Sequence, residues 1–382
     1  MCGGVTSSAV TVRSLLPVIV VGWLLRALPL AWSAPVFADE GVYYAASAWL
    51  WRGQLPYLDF VLVHPPGIVW LLAPVSWMEP VSGFTAARVL TTLVGALNIL
   101  LVGRLGGAPA AMAYAVWPEL VAVERGPALE PFLNCALLGM LNTRGWLSGG
   151  LAGLALSIKL WALPWFAILL IRRDWKALLV LPVATCVLLA PVAGPEFVDQ
   201  VFGFQATRPP DGSGLFARLF SLFHPQHLLL TLLAFNGAIR TRSSLAIPWG
   251  LTWLAFLVAP GFWSRYVAFL ALGTCLLVLS PRRWMLGSAL GIALIFTLFQ
   301  ARVSDEPVPE GALGLDPAVS LRGNRLPPIP DLYATMLRAG GSIEDPRAQA
   351  IVVDMLRDEP VIHVREPDRE WLTPESEAVL GL

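Results

Sequence analysis

Charge is scarce in this chain. Asp, Glu, Lys and Arg make up 14% of its 382 residues against 56% hydrophobic side chains, and the mean hydropathy is +0.67. A water-soluble domain has nowhere to hide that much apolar surface, so the composition excludes one. Also missing are a Walker phosphate loop, the glycine pattern of a dinucleotide fold, an internal repeat and any low-complexity tract. Nucleotide chemistry of those kinds is thereby excluded, and no nucleic-acid partner is expected. Cysteine is rare: Cys135, Cys186 and Cys275 sit in apolar runs, and no two have ligand spacing. Neither a disulfide framework nor a thiolate metal site is expected. Residues 1–14 lack the small-residue cleavage site of a secretory signal, so the first apolar stretch reads as a retained helix.

What is abundant is long apolar sequence. Candidate spans lie at 15–36, 86–105, 108–123, 128–142, 146–158, 161–172, 176–192, 227–239, 245–261, 264–280 and 284–300. Several are short for a full crossing and imply broken or tilted helices packed against neighbours. Placing Arg13, Arg104, Arg144, the Arg172–Arg173–Lys176 cluster, Arg240, Arg242, Arg282 and Arg283 in the cytoplasm satisfies the positive-inside bias in every alternate loop. The N-terminus is then inside and the C-terminus outside. The run 64–79, with Pro74 within it, reads as a helix lying at the outer surface, although a true span is the alternative.

The expected architecture is an all-α polytopic membrane protein of about 11 transmembrane helices, residues 1–300, with outer loops at 37–85 and 194–226. A small acidic extracytoplasmic α/β domain, 301–382, follows. That tail holds 15 acidic and 8 basic side chains, net −7, while the preceding 300 residues carry 11 and 18, net +7. Helices are expected at 331–339 and 346–357, and a strand at 360–365.

The densest chemistry is Asp39-Glu40-Gly41 at the exit of the first span, followed by Tyr43, Tyr57, Asp59 and His64-Pro65-Pro66. Adjacent carboxylates beside lipid are costly, so they are either solvated rim residues or a site. On the topology above, Glu124, Arg125, Glu130, Lys159, Arg208 and Arg265 all reach the same outer face. Carboxylates and cations around one outer cavity suit a general base acting on a hydroxyl while fixed cations neutralise a departing phosphate. A divalent ion on Asp39, Glu40 and His64 would want more oxygen ligands than converge there, so metal-independent chemistry is expected.

The stretches Asp39-Glu40-Gly41-Val42-Tyr43, Gly53-Gln54-Leu55-Pro56-Tyr57-Leu58-Asp59-Phe60 and His64-Pro65-Pro66 resemble the first outer loop of GT-C membrane glycosyltransferases. That superfamily includes protein O-mannosyltransferases and lipid A aminoarabinose transferases. Arg88 with Gly95, Glu124-Arg125 with Glu130-Pro131, and the run Gly153 to Lys159 are similar to its later landmarks. The resemblance implies a GT-C-like bundle in the inner (plasma) membrane and an inverting transfer from a polyprenyl-phosphate-linked sugar to an envelope lipid, glycan or protein. Under it Asp39 is the catalytic base and Glu40 orients the base or the acceptor. Lys159 and Arg265 hold the donor phosphate with Arg125 and Arg208 behind them, while Tyr43, Tyr57, Asp59, His64, Glu124 and Glu130 support substrate or loop. Two rivals remain on sequence grounds: a lipid-linked sugar flippase or transporter, and a non-catalytic membrane scaffold.

Overall fold

The computed structural model describes residues 12–31, 38–207, 214–259, 267–278, 283–300, 308–357, 359–362, 364 and 369–380. Arg208, Arg265 and Tyr266 lie outside the described residues. The backbone is helical almost throughout: Val12–Ala27 (α1), Ala38–Trp51 (α2), Gly67–Leu72 (α3), Pro80–Val116 (α4), Pro118–Val123 (α5), Leu129–Asn142 (α6), Gly145–Ile158 (α7), Ala167–Ile171 (α8), Trp175–Leu189 (α9), Pro195–Val198 (α10), Phe204–Thr207 (α11), Leu215–Leu222 (α12), Leu228–Thr241 (α13), Ala246–Val258 (α14), Val267–Leu277 (α15) and Arg283–Gln300 (α16). The tail adds Pro317–Arg322 (α17), Leu332–Gly340 (α18), Pro346–Leu356 (α19) and Pro374–Leu380 (α20).

Among the described residues, three stretches, Val12–Ala31, Pro80–Val116 and Trp175–Val192, are long and apolar enough to cross a bilayer, and six further apolar helices have 10–17 residues. At about 1.5 Å per residue a 14-residue helix covers about 21 Å, less than a hydrocarbon core of about 30 Å. Such pieces persist because they pack on longer neighbours. On α1 the exposed Val12, Leu16 and Val20, and on α9 the exposed Leu179, Val183 and Val187, form apolar stripes at four-residue spacing. Contiguous stripes of that kind would aggregate in water and instead make a lipid-facing surface. The molecule is a helical membrane protein.

Close packing follows small residues. A methyl group placed on Gly149 would meet the Ala177 carbonyl oxygen at 2.5 Å, and one on Gly153 would meet Ala184 Cβ at 2.6 Å, so this Gly-x-x-x-Gly face seats α7 on α9. Along α4, Gly103 meets Leu15, Ile99 meets Gly22 and Gly95 meets Arg26, which sets α1 and α4 antiparallel. Gly107 breaks α4 with φ 77° and ψ −172°, a conformation in practice reserved for glycine. Beyond it the chain folds back, bringing Ala111 to Gly103 and Ala115 to Gly22. The expected segment 86–105 lies in the first arm, and the expected segment 108–123 is divided between the second arm and α5 by a break at Trp117.

Residues 67–75 form α3 and a short 3-10 turn, Ala73–Val75. A six-residue helix is about 9 Å long, so the run 64–79 does not contain a span. The tail carries its own core of Leu313, Leu315, Leu332, Met336, Ala348, Val352 and Leu356, whereas Ala318 and Leu321 of α17 belong to the main core. Where a strand was expected at 360–365, the described residues make a single bridge, Leu313 to Ile362. Leu313 N donates to Val361 O at 3.0 Å, and residues 363 and 365 lie outside the described residues.

Candidate active site

Glu40 is buried in the first turn of α2, its carboxylate gripped by Arg88 of α4. The Arg88 Nη2 donates to Oε1 at 2.5 Å and Nε to Oε2 at 3.2 Å, a two-pronged pairing that fixes position as well as charge. The guanidinium also lies 4.7 Å from the Phe84 ring centroid. Asp39, one residue earlier, is half-buried.

From α2 the surrounding pieces close into a ring. The carboxylate of Glu40 lies so near the turn after α5 that a methyl group on Gly126 would fall 2.0 Å from Oε2. Four residues on, in the first turn of α6, Glu130 has an oxygen 4.0 Å from the Lys159 ammonium. Lys159 terminates α7 in an extended conformation, φ −160° and ψ 140°, and its Nζ stands 4.7 Å from the Phe269 ring centroid of α15. Trp161 stacks against the same ring, 6.1 Å away at 9°. Two residues before Lys159, Ser157 abuts Gly67, where an added methyl group would lie 2.5 Å from Oγ. His64 precedes Gly67 and sits 6.0 Å from the Tyr43 ring, back on α2. Asp39, Glu40, Tyr43, His64, Glu130 and Lys159 therefore belong to elements that pack around one another.

Other expected residues sit elsewhere. Glu124 does not face this ring: it is fully buried and forms an ion pair with Arg26 of α1 at 2.6 Å. It also accepts from Asn98 at 2.9 Å and from the Tyr114 hydroxyl at 2.8 Å. Arg26 spends its other N–H groups on the carbonyls of Gly22, Ala115 and Tyr114. This network joins three helices inside the bundle. Its neighbour Arg125 is 3% exposed; Nη2 donates to Leu25 O at 3.3 Å, and Nε has no hydrogen-bond partner among the described residues. Asp59 is exposed and closes its own turn by accepting from Leu55 N at 2.7 Å. Tyr57, held at φ 71°, donates its hydroxyl to His64 O at 2.6 Å. Burial pushes its phenol well above the usual range, so it remains a donor.

The loops expected at 37–85 and 194–226 are tied together here. Gln200, in the helical turn after α10, accepts from Leu62 N at 3.0 Å and donates to Tyr57 O at 2.8 Å, while Phe197 meets Tyr57 edge-on at 5.2 Å. The second loop rejoins the bundle at His227, which stacks on Trp117 and lies 3.2 Å from Glu119. Sequence reasoning named Arg88 as a family landmark but not as the partner of Glu40, and passed over Arg26. One signal could have found both, since each is an isolated charge within an apolar helix. Among the described residues no group of three or more His, Cys, Asp or Glu is placed to hold a metal ion.

No protein-family model matches the sequence, and no curated protein matches it significantly. Solved structures do. The crystal structure of ArnT from Cupriavidus metallidurans in the apo state superposes with a TM-score of 0.59 at 16% identity, covering 97% of this chain and 93% of that one. The same protein bound to undecaprenyl phosphate gives 0.58 at 15% identity with the same coverage. Over 97% of its length, this chain shares the fold of those ArnT structures.

Proposed function

We propose that the protein is an inverting glycosyltransferase that moves a sugar from a polyprenyl-phosphate donor to a cell-envelope acceptor on the extracytoplasmic face. The observation that carries this reading is the closed ring of contacts through Glu40, Gly126, Glu130, Lys159, Ser157, Gly67, His64 and Tyr43. It brings the carboxylate helix and a buried lysine from distant segments to one place, on a fold whose neighbour ArnT has been crystallised with undecaprenyl phosphate.

In the reaction, the carboxylate of Asp39 takes the proton of the acceptor hydroxyl as its oxygen bonds to the anomeric carbon. The bond from that carbon to the phosphate oxygen breaks on the opposite face, and the electron pair leaves with the polyprenyl phosphate. Lys159 meets the departing charge, and Arg265, Arg125 and Arg208 are the further cations that the family resemblance assigns to the donor phosphate. Guanidinium and ammonium groups can neutralise a single phosphate without a metal. Glu40, engaged by Arg88, orients the turn that carries Asp39. A donor delivered on its own lipid also accounts for a transferase without a nucleotide motif.

The test is turnover in nanodiscs with a panel of polyprenyl-phosphate sugars and envelope acceptors. Wild-type protein is expected to transfer, and folded Asp39→Asn protein is expected to bind donor without transferring. Lipid scrambling with no transfer to any acceptor would overturn the proposal in favour of a flippase.

A further inference from the structure

The tail touches the carboxylate helix two residues after the proposed base. A methyl group placed on Gly41 would lie 2.2 Å from the Ala318 amide nitrogen and 2.7 Å from the Pro317 carbonyl carbon, so α2 and α17 meet backbone to backbone. Neither atom belongs to a side chain that could turn away. The α17 segment is itself firmly seated. Asp316 is fully buried and caps the helix by accepting from Ala318 N at 2.8 Å, and Ala318 and Leu321 lie in the main core. Two more bonds extend the grip: the Trp49 indole N–H donates to Pro327 O at 2.9 Å, and Val81 N donates to Asn324 Oδ1 at 3.3 Å. Both ends of α2 are thus held by one stretch of tail, as is the start of α4, the helix whose Arg88 holds Glu40.

We propose that α17, through Asp316, Pro317 and Ala318 against Gly41, is a positioning element of the transferase site. The tail is then part of the catalytic centre and not a detached acceptor module. This inference rests on the transferase reading above. Asp316 and Gly41 are positioning residues, acting through the placement of Asp39 and Glu40.

Three variants test it in nanodiscs. Gly41→Ala must move backbone by about 1 Å to restore ordinary contact, and a misplacement of that size can cost up to about a hundredfold in rate. Gly41→Ala and Asp316→Ala are expected to lower kcat about ten- to a hundredfold with donor KM unchanged. Asp316→Asn should restore near-wild-type kcat, because Asn caps a helix as well as Asp. Amide exchange read directly on residues 38–51 should accelerate in folded Asp316→Ala protein. Wild-type kcat in both Gly41→Ala and Asp316→Ala, a loss in Asp316→Asn as large as in Asp316→Ala, or unchanged exchange in α2 would each overturn the inference. The exchange measurement needs no turnover, so a protein that transfers no sugar would fail the transferase reading while the coupling of tail to α2 is still read.

Discussion

Two adjacent acids of the same sequence motif meet opposite environments. Asp39 is half-buried at the start of α2, whereas Glu40 is 1% exposed and bound through both oxygens to Arg88. Removing one member of a buried ion pair leaves an uncompensated charge, at a cost of about 3–5 kcal/mol. Glu40→Gln is therefore expected to lower the thermal midpoint strongly in a detergent-solubilised melt. Asp39→Asn should hold stability within about 1 kcal/mol and lose turnover instead. Arg88→Lys cannot reproduce the two-pronged grip and should behave like Glu40→Gln. The same logic applies to Glu124, whose loss strands Arg26: Glu124→Gln should destabilise by about 3–5 kcal/mol in the same melt. The acid pair was legible in the sequence because carboxylates beside an apolar run stand out. Their different partners were not, since Arg88 lies 48 residues away from Glu40 and Arg26 lies 98 from Glu124. Periodicity carries no information about pairings at such separations.

Helices in this chain end where backbone chemistry stops them, and this part of the fold was largely readable. Apolar runs marked the helices, and the gap at 106–107 between two of them falls where α4 breaks. Gly107 between the arms of α4 shows why: its φ of 77° with ψ near 180° is open to glycine and costly to other residues. Gly107→Ala is expected to destabilise by about 1–3 kcal/mol, measured as a lowered unfolding midpoint with helix content retained. The segment Glu124-Arg125 was placed at the cavity in sequence because it follows an apolar run. Its short helix, α5, starts after the break at Trp117-Pro118 and leaves Glu124 inside the bundle. Depth of that kind depends on how far each broken helix advances along its neighbours, which composition does not state. Of the strand expected in the tail, the described residues show one bridge, and residues 363 and 365 lie outside them. Alternation at 360–365 is a local pattern, and a ladder needs a partner of matching length; Leu313 supplies one bridge.

At the scale of the whole molecule, the two long loops and the tail lock one another. Gln200 joins the two loops, Arg338 of α18 pairs with Asp199 at 2.7 Å, and α17 lies on α2. The acidic composition marked the tail as a separate environment, yet gave no sign that one of its helices would enter the main core. Orientation is open to a direct check in a variant lacking the natural cysteines. Asp59→Cys should react with a membrane-impermeant thiol reagent from outside intact cells, and Thr143→Cys only after permeabilisation. The reverse pattern would invert the proposed topology. The account as a whole turns on a lipid phosphate meeting the lysine that closes the ring. Binding of undecaprenyl phosphate, followed by native mass spectrometry on wild-type, Asp39→Asn and Lys159→Ala proteins, measures this. Asp39→Asn should bind as wild type does. Loss of a charge-assisted contact of about 1.5–3 kcal/mol predicts binding at least about tenfold weaker in Lys159→Ala. Undiminished binding in folded Lys159→Ala protein would contradict the account.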